Sequence, residues 1–545
     1  MEKTSLKEKF MSYNLPAQAG SRLKNWIRKN RLEALFIAII LLVGAFFRLY
    51  RIDEYMTFLG DEGRDVLIVR RLLVNFDPIL VGPGTSIGNM YLGPLYYYMM
   101  APALLLANFS PAGPAVMIAL LGVLTIFFVW TISREWFGKI AALLASLLYA
   151  TAPVVITYSR SSWNPNIMPF FSLLCIYAIW KVWRRSYRDT VHDNEGNDFK
   201  WLVILGISFA FVLQSHYLGL LLAPVIGLFW LLSYMKIKST KQVRNFVKFS
   251  IVGLGIFTVL MSPLLIFDAR HGWRNFSAIK KFFTERQTTV SARPWTSIPK
   301  LPEVTDKMVT RLVVGTNEVA GNLPGKVFLT ALTALAALMI YIIKAKRRSA
   351  ETWSAYLVLI IWIGISLIGL ALYKQEIYDH YYGFFFTAPF LLIGGISQSI
   401  INKHKIFGSL VVILVAGYLL VVNLQNNLLK YPPNRQLQRS IEVAKKIAEE
   451  SGGQKFNLAV IAERNYEGAY QYFLESWSEP FVMIDPQKTD ETITEQLYVI
   501  CEYSEKEKCD PTHNPKAEIA NFGWTKIDGE WSVAGVTLFK LTHTK

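Results

Sequence analysis

The chain has 545 residues, of which 52% are hydrophobic and 18% charged. Soluble globular chains typically carry about 25% charged residues, and the apolar residues are concentrated here in long blocks, which excludes an ordinary soluble globular protein. The net charge of +17 lies mostly between those blocks, where membrane topology and anionic lipid explain it better than nucleic-acid binding does.

A basic leader, residues 1–31, precedes the first apolar block, and we expect it to lie in the cytoplasm before an uncleaved signal-anchor. A bilayer span needs roughly 20 apolar residues, and eleven blocks qualify. The stretch 90–106 is also apolar. However, the basic connectors between the other spans lie on the same side of the membrane as the leader only if this stretch does not cross the membrane. Pro94 and Pro102 favour a broken interfacial helix there. The predicted spans are 32–50, 114–132, 140–158, 165–183, 201–216, 218–235, 246–267, 326–343, 352–372, 381–401 and 405–423.

This arrangement predicts a membrane domain over residues 32–425 whose two long outer loops are 51–113 and 268–325. The polar tail, residues 430–545, combines a helix-like stretch at 436–450 with strand-like runs, which predicts a small extracytoplasmic α/β domain. Cys501 and Cys509 lie in this tail and would pair if it is extracytoplasmic. We expect the protein to be a multi-pass protein of the plasma membrane. The strand-like runs are 456–461, 481–484, 497–501 and 533–541.

The first outer loop contains the adjacent acids Asp61 and Glu62, which follow Gly60 and open an amphipathic run. The positive end of a helix favours ionised carboxylates, and an ionised Asp61 is able to accept a proton from an incoming hydroxyl. Arg64, one turn later, has the fork geometry that binds phosphate. The alternative is a helix start with capping acids and a solvated face, and the sequence leaves both interpretations open.

Other candidates lie at the outer ends of predicted spans. Arg160, between two spans, requires an anionic partner, either a structural carboxylate or a substrate phosphate. The histidines are candidates for phosphate contacts, metal ligands or interfacial residues, and since no two share an i,i+4 spacing we assign no metal site. Tyr97 belongs to a tyrosine cluster that fits sugar stacking or an aromatic belt. The predicted substrate-binding residues are Arg64, Tyr97, Arg160, Asn164, His216, Arg270, His271, His380 and Tyr381.

The order of these features resembles the GT-C superfamily of glycosyltransferases. A basic leader and one span precede Asp61 and Glu62, and an interfacial Gly-Pro-Leu-Tyr helix begins at Gly93. A span then ends in the connector 134–139, Arg-Glu-Trp-Phe-Gly-Lys. Within the superfamily, residues 30–425 resemble the protein O-mannosyltransferases and lipid A aminoarabinose transferases of glycosyltransferase family 39. The resemblance implies an α-helical polytopic GT-C fold with juxtamembrane helices in the first outer loop.

The same resemblance implies inverting transfer of a sugar from a polyprenyl-phosphate donor to a hydroxyl on a protein, lipid or glycan. It makes Asp61 the catalytic base and Glu62 its companion, and it matches Arg160 to an arginine of the family. Many members continue with an acidic residue after that arginine, whereas this chain has Ser161 to Asn164. This departure leaves a second carboxylate, and with it a divalent cation, undecided.

Two other functions stay open at this stage. A transporter or flippase of a lipid-linked sugar would share the spans, but it predicts inverted repeats and charges inside the membrane. A non-catalytic membrane scaffold would have no need of Asp61.

Overall fold

The computed structural model describes residues 24–85, 90–186, 198–284, 290–291, 293–315, 323–344 and 350–544. Most of the predicted basic leader, and the basic connector residues Arg188, Lys346, Arg347 and Arg348, lie outside the described residues.

The part of the chain before residue 426 is a bundle of α-helices joined by short 3₁₀ turns. Long apolar stretches form these helices because a helix satisfies its backbone hydrogen bonds within its own segment. Pro102 in α4 and Pro263 in α11 lie inside their helices. The α-helices are α1 (Arg31–Leu49), α2 (Ile52–Tyr55), α3 (Gly60–Asn75), α4 (Leu95–Leu106), α5 (Ala112–Trp136), α6 (Lys139–Thr151), α7 (Pro153–Tyr158), α8 (Met168–Ser186), α9 (Trp201–Ser215), α10 (Leu222–Lys236), α11 (Thr240–Arg270), α12 (Arg274–Thr284), α13 (Leu301–Leu312), α14 (Leu323–Lys344), α15 (Ala350–Ala371), α16 (Ala388–Lys403) and α17 (Lys405–Gln425). The main 3₁₀ helices are Asn164–Ile167, Tyr217–Leu221, Pro294–Lys300 and Asp379–Phe385.

Seven helical segments of the described chain are long and apolar enough to cross a membrane, and the bent pair Asp379–Phe385 with α16 makes up to eight. These eight coincide with predicted spans. The other three predicted spans correspond to shorter apolar helices, namely α6, α9 and the Leu323–Leu338 part of α14. The structure therefore agrees with the prediction of a polytopic helical protein. By helix length the number of crossings is seven or eight, and it rises to eleven if the three shorter helices also cross.

Helix α4 occupies the ambiguous stretch at 90–106. It has 12 residues, which is about 18 Å of helix against a hydrocarbon core of about 30 Å. Its Tyr96 hydroxyl lies 2.6 Å from the Ser162 hydroxyl, so this helix packs against another inter-span loop of the chain.

The two ends of the bundle differ in the segments that meet there. At one end the start of α1 contacts the α5–α6 connector, where Arg134 Nε donates to Glu33 Oε1 at 2.5 Å and Lys139 Nζ donates to Asn30 Oδ1 at 2.6 Å. At the other end, which we call the site end, α3 meets residues 163–165, 216–217 and 378–381 around one cavity. These are segments predicted to share one side of the membrane.

The C-terminal segment, residues 436–543, folds as α/β structure at the site end. Its four-stranded sheet has the order β1-β2-β4-β3, with β1 and β2 parallel and the other pairs antiparallel. Strand β3 was not predicted, and 481–484 forms only an isolated bridge to Phe456. A disulfide joins Cys501 to Cys509. The elements are α18 (Gln436–Ser451), β1 (Asn457–Ile461), α19 (Gly468–Ser476), α20 (Thr489–Thr492), β2 (Gln496–Cys501), α21 (Ala517–Phe522), β3 (Thr525–Val533) and β4 (Val536–His543).

The C-terminal segment shares a hydrophobic core with the first loop. Val66 and Val69 of α3 belong to the same buried cluster as Val443 of α18 and Leu474 of α19. Because apolar burial contributes about 25 cal/mol per Å², this shared core holds the C-terminal segment on α3. The main core, between the membrane helices, is a separate cluster.

Candidate functional site

Helix α3 begins at Gly60 and presents the two predicted acids in its first turn. They have different surroundings. The Asp61 side chain is 43% exposed, whereas Glu62 is only 5% exposed and its Oε2 accepts a hydrogen bond from the Leu59 N–H at 3.0 Å. Burial raises the pKa of Glu62 to about 7. Glu62 is thus placed to close the start of the helix, and Asp61 is the acid that reaches the cavity.

The Asp61 carboxylate is held through one of its two oxygens. Oδ1 accepts from Arg64 Nη1 at 2.9 Å and from the Tyr466 hydroxyl at 2.7 Å. Among the hydrogen bonds of the described residues, those to the Asp61 side chain end on Oδ1, and Oδ2 receives none of them.

Arg64 lies between two acids. Its Nε and Nη2 donate to Asp65 Oδ1 at 3.0 and 2.7 Å, and the Tyr97 hydroxyl donates to the same oxygen at 2.8 Å. Asp65 is fully buried, and burial raises its pKa to about 6 while the charge of Arg64 opposes the shift. The guanidinium of Arg64, predicted to bind a phosphate, therefore orients Asp61 and Asp65. The hydroxyl of Tyr97, another predicted substrate-binding residue, supports Asp65.

Two residues of the C-terminal segment complete this arrangement, and the sequence analysis did not identify them. Tyr466 contacts Asp61, and the preceding Asn465 accepts the Gly60 N–H on its Oδ1 at 2.7 Å. Tyr466 lies 405 positions from Asp61. No local pattern signals a contact across such a separation, so only the docking of the two segments reveals it.

Asp61 and Arg64 line a cavity of about 260 Å³ at the site end. The cavity also brings together four of the predicted substrate-binding residues: Asn164, His216, His380 and Tyr381. The remaining lining residues are Pro83, Gly84, Thr85, Leu92, Trp163, Pro165, Tyr217 and Tyr378.

The two histidines of the cavity form an aromatic wall. Their ring centroids lie 5.6 Å apart, and Trp163 packs on His380 at 4.6 Å. His216 Nδ1 accepts from the Leu218 N–H at 3.2 Å, so a neutral His216 ring carries its proton on Nε2. Burial lowers the pKa of His216 to about 3. The ring is therefore neutral at physiological pH and offers one N–H donor.

Arg160, predicted to contact a substrate phosphate, makes its hydrogen bonds within the protein and is not among the residues that line the cavity. It is 1% exposed, and its Nη1 and Nη2 donate to the carbonyl oxygens of Phe47 and Tyr50 at 2.5 and 2.6 Å. These carbonyls end α1, where the helix carries partial negative charge. The anionic partner expected for this buried arginine is thus the end of a helix. Asn164 is held similarly, because its Nδ2 donates to the Ser215 carbonyl at 2.6 Å.

A second cavity, of about 170 Å³, adjoins the first and shares Leu92 and Tyr217 with it. Its lining is mainly apolar and comes from α9, α11, α12 and the chain before α4. The predicted residues Arg270 and His271 are exposed and lie in the chain between Leu264 and Asn275, which both line this apolar cavity. The lining residues are Met90, Tyr91, Leu92, Gly93, Leu213, Gln214, Tyr217, Leu220, Met261, Leu264, Asn275 and Ile279.

Among the described residues, no group of three or more His, Cys, Asp or Glu side chains is placed to hold a metal ion. Asp61 Oδ1 is also already occupied by two donors. The side chains in the described part of the chain do not fit a resident divalent cation.

Comparison with known proteins bears on the fold. Residues 92–267 match the family model of dolichyl-phosphate-mannose-protein mannosyltransferases, while no curated protein sequence matches the chain. The crystal structure of ArnT from Cupriavidus metallidurans bound to undecaprenyl phosphate is similar with a TM-score of 0.57 at 12% identity, covering 93% of this chain and 97% of that one. The archaeal oligosaccharyltransferase AglB from Archaeoglobus fulgidus, in complex with an inhibitory peptide and a dolichol-phosphate, gives 0.51 at 14% identity, covering 88% and 70%.

Both solved structures are GT-C glycosyltransferases, and the match to ArnT extends over nearly the whole of both chains. The resemblance stated from the sequence is confirmed: this chain is a multi-span membrane protein with the GT-C glycosyltransferase fold and a segment that matches the dolichyl-phosphate-mannose-protein mannosyltransferase family.

Proposed function

We propose that the protein is an inverting glycosyltransferase that moves a sugar from a polyprenyl-phosphate donor to a hydroxyl acceptor. The observation that carries this proposal is the adjacency of two cavities that share Leu92 and Tyr217, one polar with a partly exposed carboxylate and one apolar between membrane helices. The proposed donor likewise has a polar part, the sugar phosphate, and an apolar part, the prenyl chain. The polar cavity fits the sugar and phosphate, and the apolar cavity fits the first prenyl units.

In this mechanism Asp61 is the general base. The acceptor oxygen attacks the anomeric carbon from the face opposite the phosphate, its proton passes to Asp61 Oδ2, and the bond from the anomeric carbon to the phosphate oxygen breaks. The products are the glycoside and the polyprenyl phosphate, and Asp61 later returns its proton to water. Inversion follows from a single displacement.

The leaving phosphate requires donors placed where its charge develops. His216 offers its Nε2–H from the wall of the polar cavity. Arg270 and His271 lie in the chain between residues of the apolar cavity, and we propose that they approach the phosphate when the lipid is bound. Arg64 donates to Asp61 and Asp65, so its part is to hold the base in position.

We further propose that the site end faces away from the cytoplasm at the plasma membrane. The basic connectors near Arg134 and Lys139 lie at the opposite end of the bundle, and the positive-inside rule places such connectors in the cytoplasm. The Cys501–Cys509 disulfide of the C-terminal segment suits an oxidising compartment.

The test is donor turnover by purified protein in proteoliposomes, with undecaprenyl-phosphate mannose, glucose and arabinose as probes and release of undecaprenyl phosphate as readout. We expect turnover of at least one probe, with a loss of at least a hundredfold in Asp61→Asn. Asp53→Asn is the matched control, since Asp53 belongs to the other Asp-Glu pair of this loop and is exposed; it retains full turnover.

Two outcomes contradict the proposal. One is full activity of Asp61→Asn. The other is absence of turnover of every probe by the intact protein together with movement of the same lipids across the bilayer, which supports the transporter interpretation.

A further inference from the structure

We propose that Tyr466 is a positioning residue for Asp61, so that the C-terminal segment is a part of the active site. This inference rests on the proposed function, because it assumes that Asp61 is the base. It assigns a defined task to a segment that lies outside the match to the mannosyltransferase family model.

The Tyr466 hydroxyl joins Asp61 and Arg64 in a closed triangle. It donates to Asp61 Oδ1 at 2.7 Å and accepts from Arg64 Nη1 at 3.1 Å, and Arg64 Nη1 also donates to Asp61 Oδ1 at 2.9 Å. Two donors on a single carboxylate oxygen fix the rotation of the carboxyl group. They also direct its second oxygen to one position relative to the cavity.

The phenol is held by its own surroundings. A Cβ placed on Gly60 would lie 2.4 Å from the Tyr466 ring, so the ring packs directly on the start of α3. Asn465 Oδ1 accepts both the Gly60 N–H at 2.7 Å and the Tyr466 N–H at 2.9 Å. Asn465 Nδ2 in turn donates to Glu502 Oε1 at 2.5 Å, at the end of β2. The sheet of the C-terminal segment thus fixes the residue that contacts the base.

The wider docking surface keeps this geometry independent of substrate. A Cβ on Gly63 would lie 2.2 Å from the Ala469 nitrogen, and one on Gly468 would lie 2.3 Å from the Gly60 carbonyl oxygen. Only glycines permit the backbones of α3 and α19 to approach so closely. The hydroxyl of Tyr466 is therefore in place before any donor arrives, which is the property expected of a preorganised active site.

Removal of the hydroxyl has a specific kinetic consequence. In Tyr466→Phe the ring still packs on Gly60, but Asp61 keeps only Arg64 as a donor. We expect the maximal rate to fall 10- to 100-fold while the KM for the donor changes less than threefold, because the phenol supports the base and does not line the cavity.

The experiment compares Tyr466→Phe with Tyr498→Phe in the proteoliposome assay, with the same undecaprenyl-phosphate probes. Tyr498 is a matched control, since it is a fully buried tyrosine of the C-terminal segment whose hydroxyl lies 3.4 Å from Gln496 Oε1. A second variant, Asn465→Ala, keeps the phenol but removes its anchor, and we expect the same split between maximal rate and KM. Thermal unfolding of each variant is measured alongside.

The outcomes separate this inference from the proposed function. If Asp61→Asn is inactive while Tyr466→Phe keeps the wild-type maximal rate, the role of Tyr466 is refuted and the proposed function stands. If Tyr466→Phe raises the KM and leaves the maximal rate unchanged, Tyr466 binds substrate and the positioning role is refuted. If Asp61→Asn is fully active, the proposed function fails, and the inference fails with it.

Discussion

Two segments outside the membrane helices are attached to the bundle in opposite ways. The C-terminal segment is packed on α3 through backbone approaches that only Gly63 and Gly468 permit. Helix α12 and the residues near it leave large apolar side chains uncovered, with Trp273 and Phe276 at 51% and 61% exposure. The first segment is held by contacts within the protein, whereas the second presents an apolar face outward.

This contrast indicates which part of the site depends on the bilayer. Arg274, Lys280 and Lys281 accompany the exposed apolar residues of α12, and this combination is typical of a helix that lies in a membrane interface. Ile279 of the same helix lines the apolar cavity. We therefore expect the wall of the apolar cavity to depend on the membrane and the position of Asp61, the proposed base, to depend on the C-terminal segment.

The largest effect is expected from breaking the glycine contact. In Gly468→Ala the new methyl group meets the Gly60 carbonyl oxygen at 2.3 Å, which forces α19 away from α3 and moves Tyr466 from Asp61. We expect at least a hundredfold loss of donor turnover and faster limited proteolysis of the C-terminal segment. Gly417→Ala, at a position with open space around it, is the control and stays active. Equal activity of both variants would show that the close approach is dispensable.

A second effect, in stability, is expected from the buried acid beneath this contact. The pKa of Glu62 rises from 4.5 to about 7 on folding, so its contribution to stability is fully present below pH 4.5 and is lost as the pH rises through 7. Glu62→Gln removes this dependence and is expected to gain up to about 3 kcal/mol relative to wild type at pH 8.5. Thermal unfolding in detergent at pH 5 and pH 8.5 measures the change, and an equal shift of the melting temperature at both pH values would contradict it.

A smaller effect is expected at the membrane-facing segment. Replacing both Trp273 and Phe276 by Ser removes apolar area that we expect to enter the interface, and each such side chain contributes about 1.5–3 kcal/mol when fully buried. The KM for an undecaprenyl-phosphate probe should rise about tenfold, with little change in the maximal rate. Trp524→Ser, at an exposed tryptophan of the C-terminal segment, leaves the KM unaltered. An unchanged KM in the double variant would exclude a role of α12 in lipid binding.

The smallest effect is expected from the ion pair at the edge of the docking surface. Arg71 Nε and Nη2 contact the Glu475 carboxylate at 2.9 and 2.6 Å, but both side chains are partly exposed. Such pairs contribute about 0–1 kcal/mol. A double-mutant cycle with Arg71→Ala and Glu475→Ala should give a coupling energy in that range and donor turnover within twofold of wild type. A coupling energy above about 2 kcal/mol would show that the C-terminal segment is held on α3 by charge as well as by packing.

Much of the fold follows from local sequence, since apolar length and basic connectors locate the membrane helices. The strands that are buried on both faces, β1 and β2, are equally visible as apolar runs. Strand β3 escapes prediction because its residues are mostly exposed and polar. The run at 481–484 was wrongly predicted as a strand, since hydrophobicity alone does not supply a neighbouring strand with which to pair.

The site was predictable where one segment supplies it. Asp61 and Arg64 follow from a helix start in a loop, and His216 and His380 follow from their positions at span ends. Arg160 binds the carbonyls at the end of α1, and the sequence alone does not distinguish such an arginine from one that binds phosphate. Tyr466 was beyond prediction, because its role depends on a contact between distant parts of the chain.

The hydrogen bond between Tyr466 and Asp61 also has a consequence for biosynthesis. During translation, Asp61 is incorporated some four hundred residues before Tyr466. Throughout that interval the carboxylate lacks one of its two donors. If the proposed roles of Asp61 and Tyr466 hold, full activity begins only after the C-terminal segment has folded onto α3, so an unfinished copy is less active than a complete one.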